Sequence, residues 1–228
     1  MTSPKPSYKA HYLVIDFEAN CSGQNKRDHE IIEFPAVLVD TKTGAVISEF
    51  RTFVKLVKTK SLSQFIKDLT HITDEQVSNG MYWETCLQEF ETWCHKYNIM
   101  PENTTVVTCG DWDLKTMLPN QLSLTKTKLT DYLNRLFGCW SNVKTSFSSC
   151  FKYSGLYGME QMLHSLDLQL VGHHHSGIDD SRNIAKICHE LVKRGTDVTE
   201  PTQIRETKFW YFNHELPYKR NNGIIVPN

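Results

Sequence analysis

The stretch "YLVIDFEANCSG", residues 12–23, decides how the chain is read. Its apolar run predicts a strand over 12–18, yet that strand finishes with two acids, Asp16 and Glu18. Side chains alternate faces along a strand, so both acids project the same way, ~6–7 Å apart, while Phe17 turns into the core. Two carboxylates this close repel one another and cost stability unless cations or hydrogen bonds compensate.

The surrounding chain is ordinary. Its 228 residues, 39% apolar and 22% charged, suit one folded domain and exclude wholesale disorder. A net charge of -1 excludes whole-molecule attraction to nucleic acid, so any such binding needs local patches. No run approaches the ~18 apolar residues of a membrane span, and the opening "MTSPKPSYKAH" lacks the apolar centre of a secretory signal. Seven cysteines without a C-x2-C pair predict reduced thiols and an intracellular protein, cytoplasmic and/or nuclear.

Working outward, "EIIEFPAVLVD" (30–40) predicts a second strand, with Pro35 arguing for an edge or a bulge, and 45–56 a third, in an antiparallel meander. Short helices are expected over 61–69 and 74–78. A stronger amphipathic helix is expected over 82–97, its aromatics packed in the core. "TTVVTCG" (104–110) predicts a buried strand. A helix starts near Asp111 and is limited by Pro119; further helices are expected over 122–137, 141–151, 157–168 and 179–194, the last stopped by Gly195. Residues 209–212, "FWYF", could dock as a strand. The order predicts a mixed sheet covered by helices.

Two further groups give the first two acids meaning. "GDWDL" sets Asp111 and Asp113 at a helix start after a buried strand, and "HSGIDD" sets His175 five positions before Asp180. Singly, such acids serve as helix caps or dipole partners. Together, Asp16, Glu18, Asp113 and Asp180 offer the oxygen ligands that Mg²⁺ or Mn²⁺ prefers. A histidine with an ordinary pKa near ~6.5 suits a general base at neutral pH.

"DFEANC", "HEIIEFPAVLVD", "LTHI", "CGDWDLKTMLP" and "HHHSGIDDSRNIAKI" resemble the DEDDh class of 3′-to-5′ exonucleases, nearest its enhanced-RNA-interference branch, over roughly residues 10–195. The resemblance implies an RNase H-like exonuclease fold, a five-stranded mixed sheet flanked by helices. It implies a domain over 10–195, a flexible 1–9 and a C-terminal extension, 196–228, packed on that domain. By the same resemblance Asp16, Glu18, Asp113 and Asp180 hold two Mg²⁺ or Mn²⁺ ions and His175 is the catalytic base. Ala19, Asn20, Leu69, Thr70 and Trp112 frame the terminal nucleotide, and Glu33 supports the site. The expected partner is RNA with an accessible 3′ end, DNA being the alternative, with no membrane involved. The stretch before Tyr12 is too short for the extra nucleic-acid-binding domain of the histone mRNA member, so an unstructured RNA tail is the expected substrate.

The chain departs from the pattern where His71 replaces a common glycine and where "GHHHSG" replaces "GRPHSG", trading an arginine and a proline for His173 and His174. Zinc binding by the three consecutive histidines is disfavoured, because adjacent side chains converge poorly. Lys55, Lys58, Lys60, Lys115, Lys126, Lys128, Arg135, Lys144 and Lys152 are candidate phosphate contacts.

Overall fold

The computed structural model describes residues 9–21, 26–205, 218–221 and 224–227. The expected strand at 209–212 lies outside them. Strand β1 (His11–Ile15) lies antiparallel to β3 (Glu30–Asp40) and parallel to β5 (Thr104–Thr108). Strand β2 (Glu18–Asn20) pairs with the other half of β3, and β4 (Val46–Phe53) covers the opposite side of β3. Beyond β5 come β6 (Cys139–Asn142), parallel, and β7 (Gln203–Ile204), antiparallel. A separate hairpin joins β8 (Tyr218–Asn221) to β9 (Ile224–Pro227).

The sheet therefore has seven strands rather than five. One addition, β7, is a two-residue edge; the other, β2, arises because the strand expected over 12–18 breaks at Asp16 and Phe17. The register explains the break. Ile15 pairs with Ala36 and Glu18 with Glu33, which sets Asp16 opposite Pro35, a residue with no N–H to donate. Pro35 thus lies inside a strand paired on both sides, not at an edge or bulge, and the irregularity falls on its partner.

Alternation along this strand builds both cores. Leu13, Ile15, Phe17 and Ala19 face one cluster; Tyr12 and Val14 face the other. Phe17 meets Phe34 at 5.0 Å between ring centres and Trp83 at 6.2 Å, edge-on in both cases. Trp83 and Phe90 of α3 (Trp83–Lys96) are buried as expected and Trp93 and Tyr97 pack partly buried against them, while Tyr82 at the helix start is exposed. Helices α1 (Gln64–Thr70) and α2 (Asp74–Ser78) close a smaller cluster over Ile32.

The third quarter of the chain corrects the sequence reading. Pro119 does not end a helix. A π-turn at Asp113–Met117 runs directly into α4 (Leu118–Thr125), with Pro119 in the first turn of α4. Proline has no N–H to give to the preceding turn, and it sits where the wider π-turn, closed by the Leu118 N–H to Asp113 O, hands over to α4. The predicted helices 122–137 and 141–151 shorten to the end of α4, α5 (Asp131–Leu136) and α6 (Val143–Phe151), with β6 between the last two. Strand β6 is fully buried in four residues, "CWSN", too short to show alternation.

Helices α6, α7 (Met159–Ser165) and α8 (Gly177–Lys193) cover the second face. Gly195, at φ +83°, follows the end of α8 as anticipated. The start of α8 rests on the β1–β2 break. A Cβ at Gly177 would stand 2.7 Å from the Asp16 carbonyl oxygen and 2.9 Å from Pro35 Cγ. Gly177→Ala is therefore expected to lower unfolding free energy by ~1–3 kcal/mol, the usual cost of overpacking. Urea unfolding measures this, and an unchanged midpoint would show that the helix can retreat.

Candidate active site

The β1–β2 break, the π-turn and the start of α8 meet at one end of the sheet. Asp16, Glu18 and Asp180 place carboxylate oxygens within 4.8 Å of one another. Asp113, 4% exposed, comes in from the π-turn, and its Oδ1 accepts the Phe17 N–H at 2.8 Å. The interrupted ladder makes that bond possible, so Pro35, Phe17 and Asp113 are linked parts of one arrangement. His175 donates its backbone N–H to Asp180 Oδ2 at 2.8 Å. Its φ of +68° lies in the left-handed region, a conformation that costs free energy in a non-glycine residue and concentrates at functional sites.

A cleft of about 490 Å³ opens over Asp16, Glu18, His175 and Asp180, lined also by Cys109, Lys144, Glu160 and His174, among others, while Asp113 lies behind it, outside the lining. Ala19, Asn20, Leu69, Thr70 and Trp112 lie outside that lining. Ala19 and Asn20 are buried in β2, and Asn20 donates to Thr59 Oγ1 at 2.9 Å. Thr70 spends its hydroxyl on the end of α1, donating to Ile66 O and accepting from Ile72 N. Leu69 is half-buried and Trp112 is 39% exposed. The acids and histidine are thus gathered; of the expected nucleotide frame, Ala19 directly follows Glu18 and Trp112 directly precedes Asp113 in the chain.

Glu33 is fully buried and occupied, accepting from Arg51 Nε at 2.8 Å and from the Gly177 N–H at 3.2 Å. It ties β3 to β4 and to α8. Asp111, read as a helix cap, instead accepts from Trp140 Nε1 and Asn142 Nδ2, knitting the turn after β5 to β6. Asp179 accepts the His173 N–H and pairs with Arg182.

His71 keeps a glycine-like conformation, φ 57°, as the C-cap of α1, and its ring lies 5.1 Å from that of His173. His174 stacks on His175 with ring centres 4.0 Å apart and contacts Glu160 at 3.5 Å. Two consecutive histidines do approach one donor set, since His174, His175 and Asp180 have ligand atoms within 4.8 Å. Cys109, Glu160 and the cleft position of His174 carried no signal in residue spacing. They arrive through the chain crossing after β5 and the start of α7.

The electrostatics are severe. Burial, then Asp113, Glu18 and Asp180, pushes the Asp16 carboxyl well above its usual range. Burial, followed by Glu33, raises Glu18 to about 9. Burial lifts Asp113 to about 7 against the pull of the Phe17 N–H, and Asp180 to about 6 against that of the His175 N–H. His175 is shifted downward, first by burial and then by His174, which leaves its imidazole neutral near pH 7. Asp180 Oδ1 is buried without a hydrogen-bond partner. An all-oxygen carboxylate set with an unpaired buried oxygen fits a hard divalent cation.

A family model described as exonuclease, RNase T, matches residues 13–188. The chain belongs to the RNase T exonuclease family. ERI1 exoribonuclease 3 of Homo sapiens is 36% identical over 200 residues, which cover 86% of this chain and 57% of that protein. The chain thus spans little more than half the length of these curated relatives. The nuclease domain of 3′hExo, a DEDDh family member solved bound to rAMP, superposes with a TM-score of 0.77 at 29% identity. That match covers 89% of this chain and 99% of the domain. A second structure, of a 3′-exonuclease recognising the histone mRNA stem-loop, gives 0.77 at 25% identity, covering 97% of this chain and 92% of that one. This family member has the RNase H-like exonuclease fold, and it is related to the DEDDh-type ERI1 exoribonucleases.

The raised acids give a linked expectation. Each holds its proton more tightly folded than unfolded, so the folded state binds more protons and loses stability as pH rises from the ordinary carboxylate range toward about 9. Metal must displace those protons. Without divalent ions the melting temperature is expected to fall across this window, and added Mn²⁺ to raise it more at about pH 8.5 than at about pH 5.5. Thermal scans at several pH values test this; equal shifts at both ends would contradict it.

Proposed function

We propose that this exonuclease-family chain is a metal-dependent 3′-to-5′ exoribonuclease, releasing nucleoside 5′-monophosphates one at a time from the 3′-hydroxyl end of single-stranded RNA or 3′ overhangs. The observation that carries the reading is the convergence of Asp16, Glu18 and Asp180 within 4.8 Å, with His175 bonded to Asp180. Two Mg²⁺ or Mn²⁺ ions, held by Asp16, Glu18, Asp113 and Asp180, would neutralise the phosphoryl oxygens and activate water there.

The chain's own groups divide the rest of the work. The neutral imidazole of His175, at the cleft wall beside Asp180, takes the proton of the attacking water on a ring nitrogen. Asp180 fixes that residue through its backbone N–H, while the Phe17 N–H fixes Asp113. Trp112 presents an exposed indole next to Asp113, suited to stacking on a base without reading its identity, a contact of ~1–3 kcal/mol. Leu69 and Thr70, with the backbone of Ala19 and Asn20, complete the nucleotide frame by the family resemblance. The rAMP bound to the related nuclease domain supports a nucleoside 5′-monophosphate as product. Seven free cysteines support a reducing, intracellular setting. Among the described residues no helix is long and apolar enough to cross a membrane.

A 5′-labelled oligoribonucleotide with Mn²⁺ or Mg²⁺ is expected to yield a ladder shortened from its 3′ end, abolished by EDTA and by Asp16→Asn. Internal cuts, or activity indifferent to chelation, would overturn the reading; matched DNA reports sugar preference. His175→Ala is expected to slow hydrolysis ~10²–10⁴-fold while Mn²⁺ binding survives. A variant cutting at the parent rate across neutral pH would remove the histidine from this role.

A further inference from the structure

Nine lysines and arginines are candidate phosphate contacts by sequence, and the fold separates them. Lys58 is paired with Asp28 and Arg135 with Glu102, while Lys55 lies over the Tyr82 ring at 5.0 Å. Of the nine, only Lys144 lines the cleft that holds Asp16, Glu18, His175 and Asp180.

The backbone of Lys144 is held in place. It sits in the first turn of α6, where its N–H donates to Asn142 Oδ1 at 3.0 Å. The same oxygen accepts the Gly110 N–H at 3.1 Å, and Asn142 Nδ2 donates to Asp111 Oδ1 at 3.1 Å. One asparagine therefore locks the start of α6 to the turn that leads into Trp112 and Asp113. The Lys144 ammonium hangs over that turn, with its Nζ 3.8 Å from where a Gly110 Cβ would be.

Lys144 has no salt bridge among the described residues. It acts on the acids at longer range, lowering the pKa of Asp16 and of Asp113. A charge fixed in a cleft, near acids but bonded to none, has its ordinary hydrogen-bonding capacity free. A lysine offers three donors and acts as a compact point charge toward phosphate.

We propose that Lys144 binds a backbone phosphate oxygen of the RNA strand entering the cleft from the Asp113 side. This makes it a direct substrate contact besides the acids and His175, and it rests on the exoribonuclease reading. Such a contact carries no base information and adds to affinity by releasing a counterion.

The test uses the full chain with Mn²⁺ and a 5′-labelled oligoribonucleotide over a salt series, comparing Lys144→Met and Lys144→Arg with the parent. Lys144→Met is expected to lower kcat/KM roughly ten-fold or more, mainly through KM. The slope of its logarithm against log salt should flatten by ~0.7, the share of one phosphate contact on a single strand. Lys144→Arg should restore most of both and keep the parent melting temperature and Mn²⁺ binding, because it retains the charge that acts on Asp16 and Asp113. A flattened slope with arginine rescue is not what a purely structural lysine gives. If Lys144→Met keeps the parent KM and salt slope, the contact is overturned while the exoribonuclease reading stands. If the parent itself degrades no RNA, both fall together.

Discussion

Four clustered carboxylates, Asp113 and Asp180 buried and Asp16 and Glu18 half-buried, repel one another when ionised unless positive charge joins them, and the architecture around Asp16 exists under that constraint. Their proximity is imposed by elements that have other reasons to be where they are. Phe17 is pinned between Phe34 and Trp83, so its two neighbours are forced to the opposite face. The π-turn delivers Asp113 onto the Phe17 N–H, and α8 delivers Asp180 beside Glu18. Core packing, worth ~1.5–3 kcal/mol for each large apolar side chain, thus holds together groups that repel one another. The resulting upward shifts fall at one cluster, as perturbed acids do at functional sites.

Much of this was legible beforehand because it rests on local pattern. The D-x-E pair at a strand end requires only alternation, and that survives the break after Ile15 since the register through Glu18 is unchanged. His175 and Asp180 lie close in sequence at a helix start, where spacing fixes geometry. What escaped was non-local. Strand β6 is four buried residues that acquire strand character from β5 beside them. Pro35 reads as an edge marker, because the sequence does not show that the partner strand would be interrupted opposite it. Lys144 is one of nine basic candidates until the crossing from β6 to α6 puts it in the cleft. Asn142, which fixes that crossing, has no motif to announce it.

The histidine-rich loop shows where this chain differs from its relatives' pattern without breaking it. His71 adopts the left-handed conformation that a glycine takes for little cost, and its ring rests near His173 across from α1. His174 is stacked against His175 and reaches Glu160 of α7. Histidine rings stand where the resembled pattern carries an arginine and a proline, and the His175 ring is braced by that of its neighbour His174.

Gly177 gives the closeness of α8 and the β1–β2 break a further meaning. The α8 backbone meets the Asp16 carbonyl, the Pro35 ring and the stem of Glu18 with no Cβ of its own, so this contact sets how near Asp180 comes to Glu18. Oxygens stand ~2.0–2.1 Å from Mg²⁺ but ~2.3–2.6 Å from Ca²⁺. A hard cation held between Glu18 and Asp180 would therefore meet oxygens whose spacing depends on a missing methyl group.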